Sequence, residues 1–170
     1  GYFGAIINES YGIEFSPSYL FTNTINSKGF SFNDGTGSRF YVPADKRLFA
    51  LPLNLKFKYY PMAKNYGSSL SKFYLGVGAG PMYINEQATN QIYSDESQLL
   101  YLGSQTSEDS FWTSNFELMA GLGSYSKIGY GFEISYRIVP LKASGTKPLI
   151  TNIVSNFGSV NFAANIIYSF

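Results

Sequence analysis

The chain has 170 residues, a net charge of +1, 18% aromatic and 14% charged residues, and neither cysteine nor histidine. The balanced charge gives no electrostatic basis for binding nucleic acid, and the lack of cysteine excludes disulfides and thiol chemistry. Glycine, Tyr and Phe are abundant, which favours strands, and no apolar run is long enough for a transmembrane helix. We therefore expect a single all-β domain over residues 1–170.

Seven segments carry apolar side chains at every second position, the period of a β-strand with one apolar face. In chain order they are 1–7, 11–23, 48–60, 72–84, 111–123, 129–140 and 157–170. In 129–140, for example, Tyr130 and Phe132 alternate with polar residues such as Glu133. Pro52 and Pro81 lie inside predicted strands and suggest a bulge or a strand end at each. No segment has a convincing helical period.

The connections between these segments alternate between short and long. Residues 8–10 and 124–127 form short turns and 62–71 an intermediate one, whereas 24–47, 85–110 and 141–156 are long and polar. Segment 25–47 is also compatible with a protruding hairpin around Asn33-Asp34-Gly35. Long loops at one rim and short periplasmic turns at the other are typical of outer-membrane β-barrels.

Six charged residues lie within the predicted strands, all on the face opposite the aromatic and branched residues. Random parity would place them so only about once in 64 trials. If this face lines a lumen, three carboxylates and three cations can satisfy one another there, because isolated buried charges are costly. We expect an ion-paired plug, with a continuous pore as the alternative. The predicted lumen charge network comprises Glu14, Lys56, Lys58, Glu117, Glu133 and Arg137.

Alternation alone does not say whether the apolar face points inward, as in a lipocalin-like soluble barrel, or outward to lipid. Predicted strands of 12–14 residues are long enough to cross a bilayer, and a glycine ladder at Gly76, Gly78 and Gly80 suits a polar lumen. Aromatic residues gather at the strand ends, as in the interfacial girdles of membrane proteins. These features favour an apolar face that points outward to lipid. One predicted girdle has Tyr11, Tyr59, Tyr60, Phe73, Tyr130, Tyr168 and Phe170, and the other has Phe21, Phe49, Tyr83, Phe111, Trp112 and Phe157.

Two stretches, "LPLNLKFKYYP" (51–61) and "FYLGVGAGPMYI" (73–84), resemble the PorT-like outer-membrane β-barrel family common in Bacteroidetes. In that family a strand of the type LPLxxKYY precedes one of the type GxGAGPxxxY. "GYFGAIIN" and "YGIEFSPSYLFTN" are similar to the family's second and third strands. The resemblance implies an eight-stranded antiparallel up-and-down transmembrane β-barrel in the bacterial outer membrane, with both termini periplasmic. It also implies contact with outer-membrane lipid and an accessory or structural role in a larger outer-membrane secretion or assembly complex.

Seven predicted strands conflict with the even strand number of bacterial single-chain barrels. Because the resemblance aligns residue 1 with the start of the family's second strand, we expect the first strand to lie upstream of the sequence given. An extra pair of strands within 25–47 is the alternative, but it would preserve the odd count.

The chain closes on "NIIYSF", where Ile166, Tyr168 and Phe170 alternate with other residues and end on an aromatic ring. This pattern is similar to the C-terminal targeting signal of outer-membrane proteins. It also describes a closing barrel strand, and the two interpretations are compatible.

Other motifs give little support for chemistry. "GVGAGP" lacks the spacing and the following Lys of a phosphate loop, and the acidic pairs 95–96 and 108–109 lack the spacing of a calcium loop. A serine nucleophile would need a base other than histidine. We therefore expect no enzymatic activity, no cofactor and no metal. The alternatives to the accessory role are a stand-alone surface barrel that binds an extracellular ligand through its long loops, a narrow channel and a lipid-modifying enzyme.

Overall fold

The structure, a computed structural model, describes residues 1–22, 28–33, 35–66, 69–97, 100–123 and 128–168. Within these ranges nine strands form one antiparallel sheet, which confirms the all-β prediction, and no helix is long and apolar enough to cross a membrane. Two short helices lie in the connections, a 3₁₀ turn over Ser69–Lys72 and α1 (Ile150–Ile153). The strands are β1 (Phe3–Ile7), β2 (Tyr11–Pro17), β3 (Leu20–Thr22), β4 (Phe30–Asn33), β5 (Ser38–Tyr59), β6 (Phe73–Tyr93), β7 (Tyr101–Gly123), β8 (Ile128–Pro140) and β9 (Asn156–Tyr168).

Seven of these strands lie side by side in the order β1-β2-β5-β6-β7-β8-β9, each antiparallel to its neighbours. The short strands β3 and β4 pair with the N-terminal half of β5. Six antiparallel steps separate β1 from β9, so these two outermost strands run in the same direction. No pairing joins β1 to β9 among the described residues, and the sheet is therefore open.

Three strands are much longer than the sequence pattern predicts. β5, β6 and β7 contain 22, 21 and 23 residues, so most of the predicted polar loops 24–47 and 85–110 is in fact strand. The expectation was wrong there because residues such as Asn85, Glu86 and Gln87 are polar on both faces of the sheet and show no period-2 contrast. The additional lengths of β6 (residues 85–93) and β7 (101–110), which pair with each other, are called here the β6–β7 extension.

The predicted hairpin within 25–47 exists as β4 and β5, although residue 34 at its turn and residues 23–27 lie outside the described part of the chain. The predicted strand 11–23 is divided, since β2 ends at Pro17 and β3 begins at Leu20. The connection 8–10 is a tight turn in which Asn8 and Glu9 have φ angles of 51° and 59°. The connection has three residues, because Ile7 pairs opposite Tyr11. The predicted turn 124–127 lies outside the described residues.

The prolines inside the predicted strands leave the strand register unchanged. Pairing continues in a constant register on both sides of Pro52 and Pro81, so the bulge or strand end expected there is absent. A register shift lies instead between Pro43 and Asp45. Its extra residue places Tyr41, at an odd position, on the same buried face as the even-numbered residues that follow in β5.

The two faces of the sheet differ in chemistry, as β8 illustrates. Ser135 and Arg137, at odd positions, are 5% and 7% exposed, whereas the six apolar residues at even positions are 41–67% exposed. The sheet itself covers its buried face, because Lys56 of β5 reaches Glu133 of β8. On a flat sheet three strand spacings, about 14 Å, would separate these strands, so the sheet is strongly curved around the buried face. The six exposed residues are Ile128, Tyr130, Phe132, Ile134, Tyr136 and Ile138.

Candidate functional site: the buried charge network and the docked β8–β9 loop

The six residues of the predicted charge network lie together on the buried face, each no more than 8% exposed. They come from β2, β5, β7 and β8. Strand register alone brings two pairs of opposite charges face to face, since Glu14 pairs opposite Lys56 and Glu117 opposite Arg137. Curvature of the sheet brings the two pairs together. The structure thus unites the full set that the strand parity indicates.

Lys56 lies at the centre of the network and contacts all three carboxylates. Its Nζ is 2.8 Å from Glu133 Oε1, 3.8 Å from Glu117 Oε2 and 3.9 Å from Glu14 Oε1. A buried ammonium needs such compensation, because its desolvation costs several kcal/mol. Lys56 is therefore the residue on which the charge balance of the interior depends most.

Lys58 and Tyr74 complete the coordination of the carboxylates on one side of Lys56. Lys58 Nζ donates to Glu14 Oε2 at 2.7 Å and lies 3.3 Å from Glu133 Oε2. The Tyr74 hydroxyl donates to the same Glu133 oxygen at 2.7 Å. Both oxygens of Glu133 thereby have a donor, Lys56 at Oε1 and Tyr74 at Oε2.

Glu117 has a second set of donors on the other side of Lys56. Asn54 Nδ2 donates to its Oε2 at 3.1 Å, and the Ser135 hydroxyl donates to its Oε1 at 2.5 Å. The hydrogen bond from Arg137 Nη2 to Glu117 Oε1 is long, at 3.4 Å. The buried Nε and Nη1 of Arg137 have no hydrogen-bond partner among the described residues. The guanidinium is thus the least satisfied group of the network.

Glycines provide the space that the network and its neighbours occupy. A Cβ on Gly76 would lie 2.9 Å from Met119 Cγ, one on Gly78 would lie 3.2 Å from Lys56 Cγ, and one on Gly121 would lie 2.5 Å from the Tyr74 ring. The glycine ladder therefore makes room mainly for Met119 and Lys56. Room for Tyr74 comes from Gly121 on β7.

Apolar side chains flank the charge network on both sides along the strands. On one side Tyr60, Tyr74 and Met119 form a buried cluster. On the other side a second cluster joins β5, β6 and β8, and Phe111 packs against it. Tyr60 and Phe111 were predicted as girdle residues, and that prediction is wrong. The exposed positions are taken by the aromatic residues next to them in sequence, Tyr59 and Trp112. The second cluster comprises Ala50, Met82, Ile84 and Val139.

Aromatic side chains on the face opposite the charge network form a row across neighbouring strands, here called the aromatic row; Tyr19 and Trp112 are exposed, and Phe49 and Tyr83 are partly buried. Tyr19 lies 4.9 Å from Phe49, Phe49 lies 6.0 Å from Tyr83, and Tyr83 lies 5.4 Å from Trp112, measured between ring centroids. The row crosses β5, β6 and β7 at one level. It ends at Trp112, which is 60% exposed.

The loop that joins β8 to β9, residues 141–155, docks against the β6–β7 extension. Glu86, completely buried, accepts the backbone N–H groups of Ile150 at 3.1 Å and Thr151 at 2.9 Å. Asn90 Nδ2, also on β6, donates to the Pro148 carbonyl at 3.0 Å. These bonds hold the loop across the end of the buried face, with Leu149 only 1% exposed.

Asn152 organises the inside of this loop and ties it to β7. Its Oδ1 accepts the hydroxyls of Ser144 at 2.5 Å and Thr146 at 3.0 Å, and its Nδ2 donates to Asp109 Oδ2 at 3.0 Å. Lys147 Nζ lies 3.2 Å from Asp109 Oδ1. The hydrogen bond from Asn152, assisted by Lys147 and opposed by partial burial, lowers the pKa of Asp109. The pair 108–109 was predicted to lie in the polar loop 85–110, but it lies on β7 and Asp109 is engaged.

Lys46 is a buried cation that the sequence pattern missed. It is 4% exposed, and its Nζ has no hydrogen-bond partner within the described ranges. It pairs opposite Ala88, so that Glu86 and Asn90 are its diagonal neighbours on the same face. Burial lowers the pKa of Lys46, and the Glu86 carboxylate opposes that shift. Its parity relative to Lys56 and Lys58 was the available signal, but the segment had been assigned to a loop.

The remaining predicted residues lie apart from these sites. Ile166 and Tyr168 of the predicted C-terminal signal are on β9, 76% and 55% exposed, and Phe170 lies outside the described residues. Asp95 accepts the Ser97 backbone N–H at 2.8 Å within the β6–β7 turn. In the part of the chain that the structure describes, no group of three or more His, Cys, Asp or Glu residues could hold a metal ion.

No protein-family model, no curated protein and no solved structure matches this chain. The resemblance of residues 51–61 and 73–84 to PorT-like barrels stays a prediction. In the structure these two stretches are adjacent parts of β5 and β6, where the glycine ladder faces Lys56 and Met119. Functional inference for this chain therefore depends on its own geometry.

A cavity lies between β9 at one edge of the sheet and, at the other edge, β2 and the residues that precede β1. This cavity of about 470 Å³ is lined by Tyr2 at the start of the chain, by Glu14 and Ser16 of β2, and by Asn161 and Asn165 of β9, among other residues. Arg137 also lines it. The residue with the least satisfied side chain of the network thus belongs to the lining of this cavity.

Proposed function

We propose that this chain is a small outer-membrane β-barrel protein with a structural rather than an enzymatic role. The observation that carries the proposal is the inverted chemistry of the sheet. All six charges of the network are buried, while the opposite face exposes apolar side chains on every long strand. A protein in water buries its apolar face and exposes its charges, whereas a barrel in lipid does the reverse.

The dimensions of the exposed apolar face fit a membrane. On β8 the exposed apolar residues run without interruption from Ile128 to Ile138. Ten residue steps of about 3.4 Å give roughly 34 Å along the strand. At the tilt of about 40° usual in membrane barrels, this spans about 26 Å of bilayer, close to the apolar band of about 25 Å in outer-membrane barrels.

The geometry of the sheet edges supports closure by one further strand. β1 and β9 run in the same direction, so one strand between them would be antiparallel to both and would give eight strands on the closed path. An even number is the rule for bacterial single-chain barrels. We propose that this strand lies upstream of the sequence given and brings an oxygen acceptor to Arg137. The short turn 8–10 and both termini of the chain would then be periplasmic, and Ile166, Tyr168 and Phe170 would form the targeting signal.

The ion-paired interior supports a plugged barrel over a channel. The network has three anionic and three cationic side chains in mutual contact, and an apolar cluster lies on each side of it. An eight-stranded barrel has an interior only wide enough for side chains to fill. We expect no steady conductance when the protein is reconstituted in planar bilayers, and stable single-channel steps would contradict the plug.

The accessory role in a larger outer-membrane complex rests on the PorT-like resemblance and requires a contact surface on the barrel wall. A shallow apolar groove of about 520 Å³ crosses the exposed side of β7, β8 and β9 between Phe132 and Phe162, with Ala120 and Ala164 at its base. A second candidate, a surface protein that binds a ligand outside the cell, is favoured by the β6–β7 extension. This extension continues for about ten residues, or roughly 34 Å along the strand, beyond the aromatic row.

Extraction of the native membrane in mild detergent, followed by identification of proteins that co-purify in a fixed ratio, separates these two roles. The accessory role predicts a stoichiometric outer-membrane partner that is lost in Ala164→Phe, which fills the groove. The matched control is Val160→Phe, on the same strand and exposed face but outside the groove lining. Extraction of the wild-type protein without a stoichiometric partner would contradict the accessory role and favour the surface-binding one.

A further inference from the structure

The aromatic row is interrupted at the junction between β7 and β8. The row reaches Trp112 on β7, and the register of the β7–β8 pair, in which Phe116 lies opposite Ile138, would place residue 142 opposite residue 112. β8 ends at Pro140, two residues before that position, and Lys142 at the start of the β8–β9 loop lines a cleft together with Trp112. A cation therefore lies in the same cleft as the last ring of the row.

An open cleft lies at this interruption. Its volume is about 620 Å³, and it is bordered by Trp112 and Ser114 on β7 and by Lys142, Ser144 and Asn152 in the β8–β9 loop. Trp112 is 60% exposed and its ring forms one wall. The cleft thus combines an aromatic surface, a cation and hydroxyl groups at the level of the aromatic row.

The charges around the cleft leave an excess of positive charge. Asp109 also lines it, but Lys147 and the Asn152 amide engage both oxygens of this carboxylate. Lys142 is exposed and makes no hydrogen bond or ion pair with any residue that the structure describes. Two ammonium groups against one carboxylate give a local charge of +1, with Lys142 as the group available to a ligand.

We propose that this cleft binds the phosphorylated sugar headgroup of an outer-leaflet glycolipid. Lys142 contacts the phosphate, the Trp112 ring packs on the sugar, and the hydroxyls of Ser114 and Ser144 bind its polar groups. The proposal rests on the membrane placement proposed above, which sets Trp112 at the outer interface, where aromatic and cationic side chains meet lipid headgroups. A glycolipid is favoured over a free anion because the cation lies beside an exposed ring at the edge of the apolar face.

Trp112 is the single tryptophan of the chain, so its fluorescence reports directly on the cleft. The protein in detergent is titrated with bis-phosphorylated lipid A, with the same lipid after removal of its phosphates, with phosphatidylglycerol and with inorganic phosphate. We expect a saturable shift of the emission with bis-phosphorylated lipid A, and a half-saturation concentration at least fivefold higher for each of the other three. Lys142→Gln should raise the half-saturation concentration for bis-phosphorylated lipid A by about fivefold, and Lys142→Arg should restore most of it.

The matched control is Lys64→Gln, which removes an exposed cation from the turn at the opposite end of the strands. It should leave the titration unchanged. Equal responses to the phosphorylated and dephosphorylated lipids, equal binding of phosphatidylglycerol or phosphate, or no effect of Lys142→Gln would each overturn the proposal. Quenching of Trp112 by brominated phospholipid in nanodiscs tests the membrane placement separately. Quenching, together with a titration that does not depend on the lipid A phosphates, contradicts only the glycolipid site. Lack of quenching contradicts the membrane placement itself.

Discussion

Replacing Lys56 by methionine should destabilise the protein strongly, because this ammonium contacts all three buried carboxylates. The substitution leaves three carboxylates facing two cations, and Glu133 loses its 2.8 Å partner. Removing one member of a buried ion pair costs about 3–5 kcal/mol, since the remaining charge is desolvated without compensation. Methionine has a volume similar to that of lysine, so the packing around Gly78 is kept. The loss of stability therefore reports the removal of the charge.

The free energy of unfolding can be measured by urea denaturation in detergent micelles, followed by the fluorescence of Trp112. Arg47→Met is the matched control, because Arg47 lies 3.7 Å from Asp45 with both side chains more than half exposed. Exposed pairs of this kind contribute about 0–1 kcal/mol. A loss for Lys56→Met no larger than that of the control would refute the compensated buried network.

The double variant Lys56→Met/Glu133→Gln restores the balance of charges, with two carboxylates and two cations. It should be less destabilised than the sum of the two single variants by about 1 kcal/mol or more, since groups in one network couple by about 0.5–3 kcal/mol. Strictly additive losses would show that the two side chains do not interact as the structure places them.

Three further predictions follow from particular contacts. Gly80→Ala would place a Cβ 1.9 Å from the Leu53 carbonyl oxygen and should abolish recovery of folded protein, whereas Gly131→Ala, with its nearest neighbour at 3.4 Å, should refold with near wild-type yield. Glu86→Ala removes the acceptor of two loop N–H groups, so hydrogen exchange at those two amides should accelerate and the free energy of unfolding should fall by about 1–3 kcal/mol. The lowered pKa of Asp109 means that its stabilisation of the docked loop is present above the ordinary value of about 3.9 and is lost as the pH falls through the lowered pKa. Acidification below about pH 4 should therefore release the loop, measured as hydrogen exchange at residues 149–152, and Asp109→Asn should remove this pH dependence.

Strand parity predicted the placement of the charged side chains well because it is a local property of an extended backbone. Successive residues point to opposite faces whatever the rest of the chain does, so Glu14, Lys56 and Arg137 could be assigned to one face without knowledge of their partners. The particular pairs, such as Lys56 with Glu133, depend on the curvature of the sheet, which no local pattern specifies. The same holds for the bonds between Tyr74 and Glu133 and between Asn54 and Glu117.

The β6–β7 extension and the docked loop could not be found by the same reasoning. Polar residues alternate there with other polar residues, so Glu86 and Asn90 gave no contrast between faces. Their burial arises from the β8–β9 loop, which is remote in sequence and binds Glu86 through its backbone N–H groups. Lys46 was missed for a related reason, because the residues around it were assigned to a loop and its parity was not considered.

The exposed apolar face is the feature on which the membrane placement depends, and neighbouring residues of β8 test it directly. Ile134 and Ser135 are 47% and 5% exposed, and the chain has no cysteine, so a single spin label can be attached at either position. In liposomes we expect the label at Ile134→Cys to collide frequently with oxygen, which concentrates in the bilayer, and rarely with a water-soluble nickel complex. The label at Ser135→Cys should meet little of either reagent. Frequent collisions of the Ile134→Cys label with the nickel complex, together with few collisions with oxygen, would contradict a lipid-facing sheet.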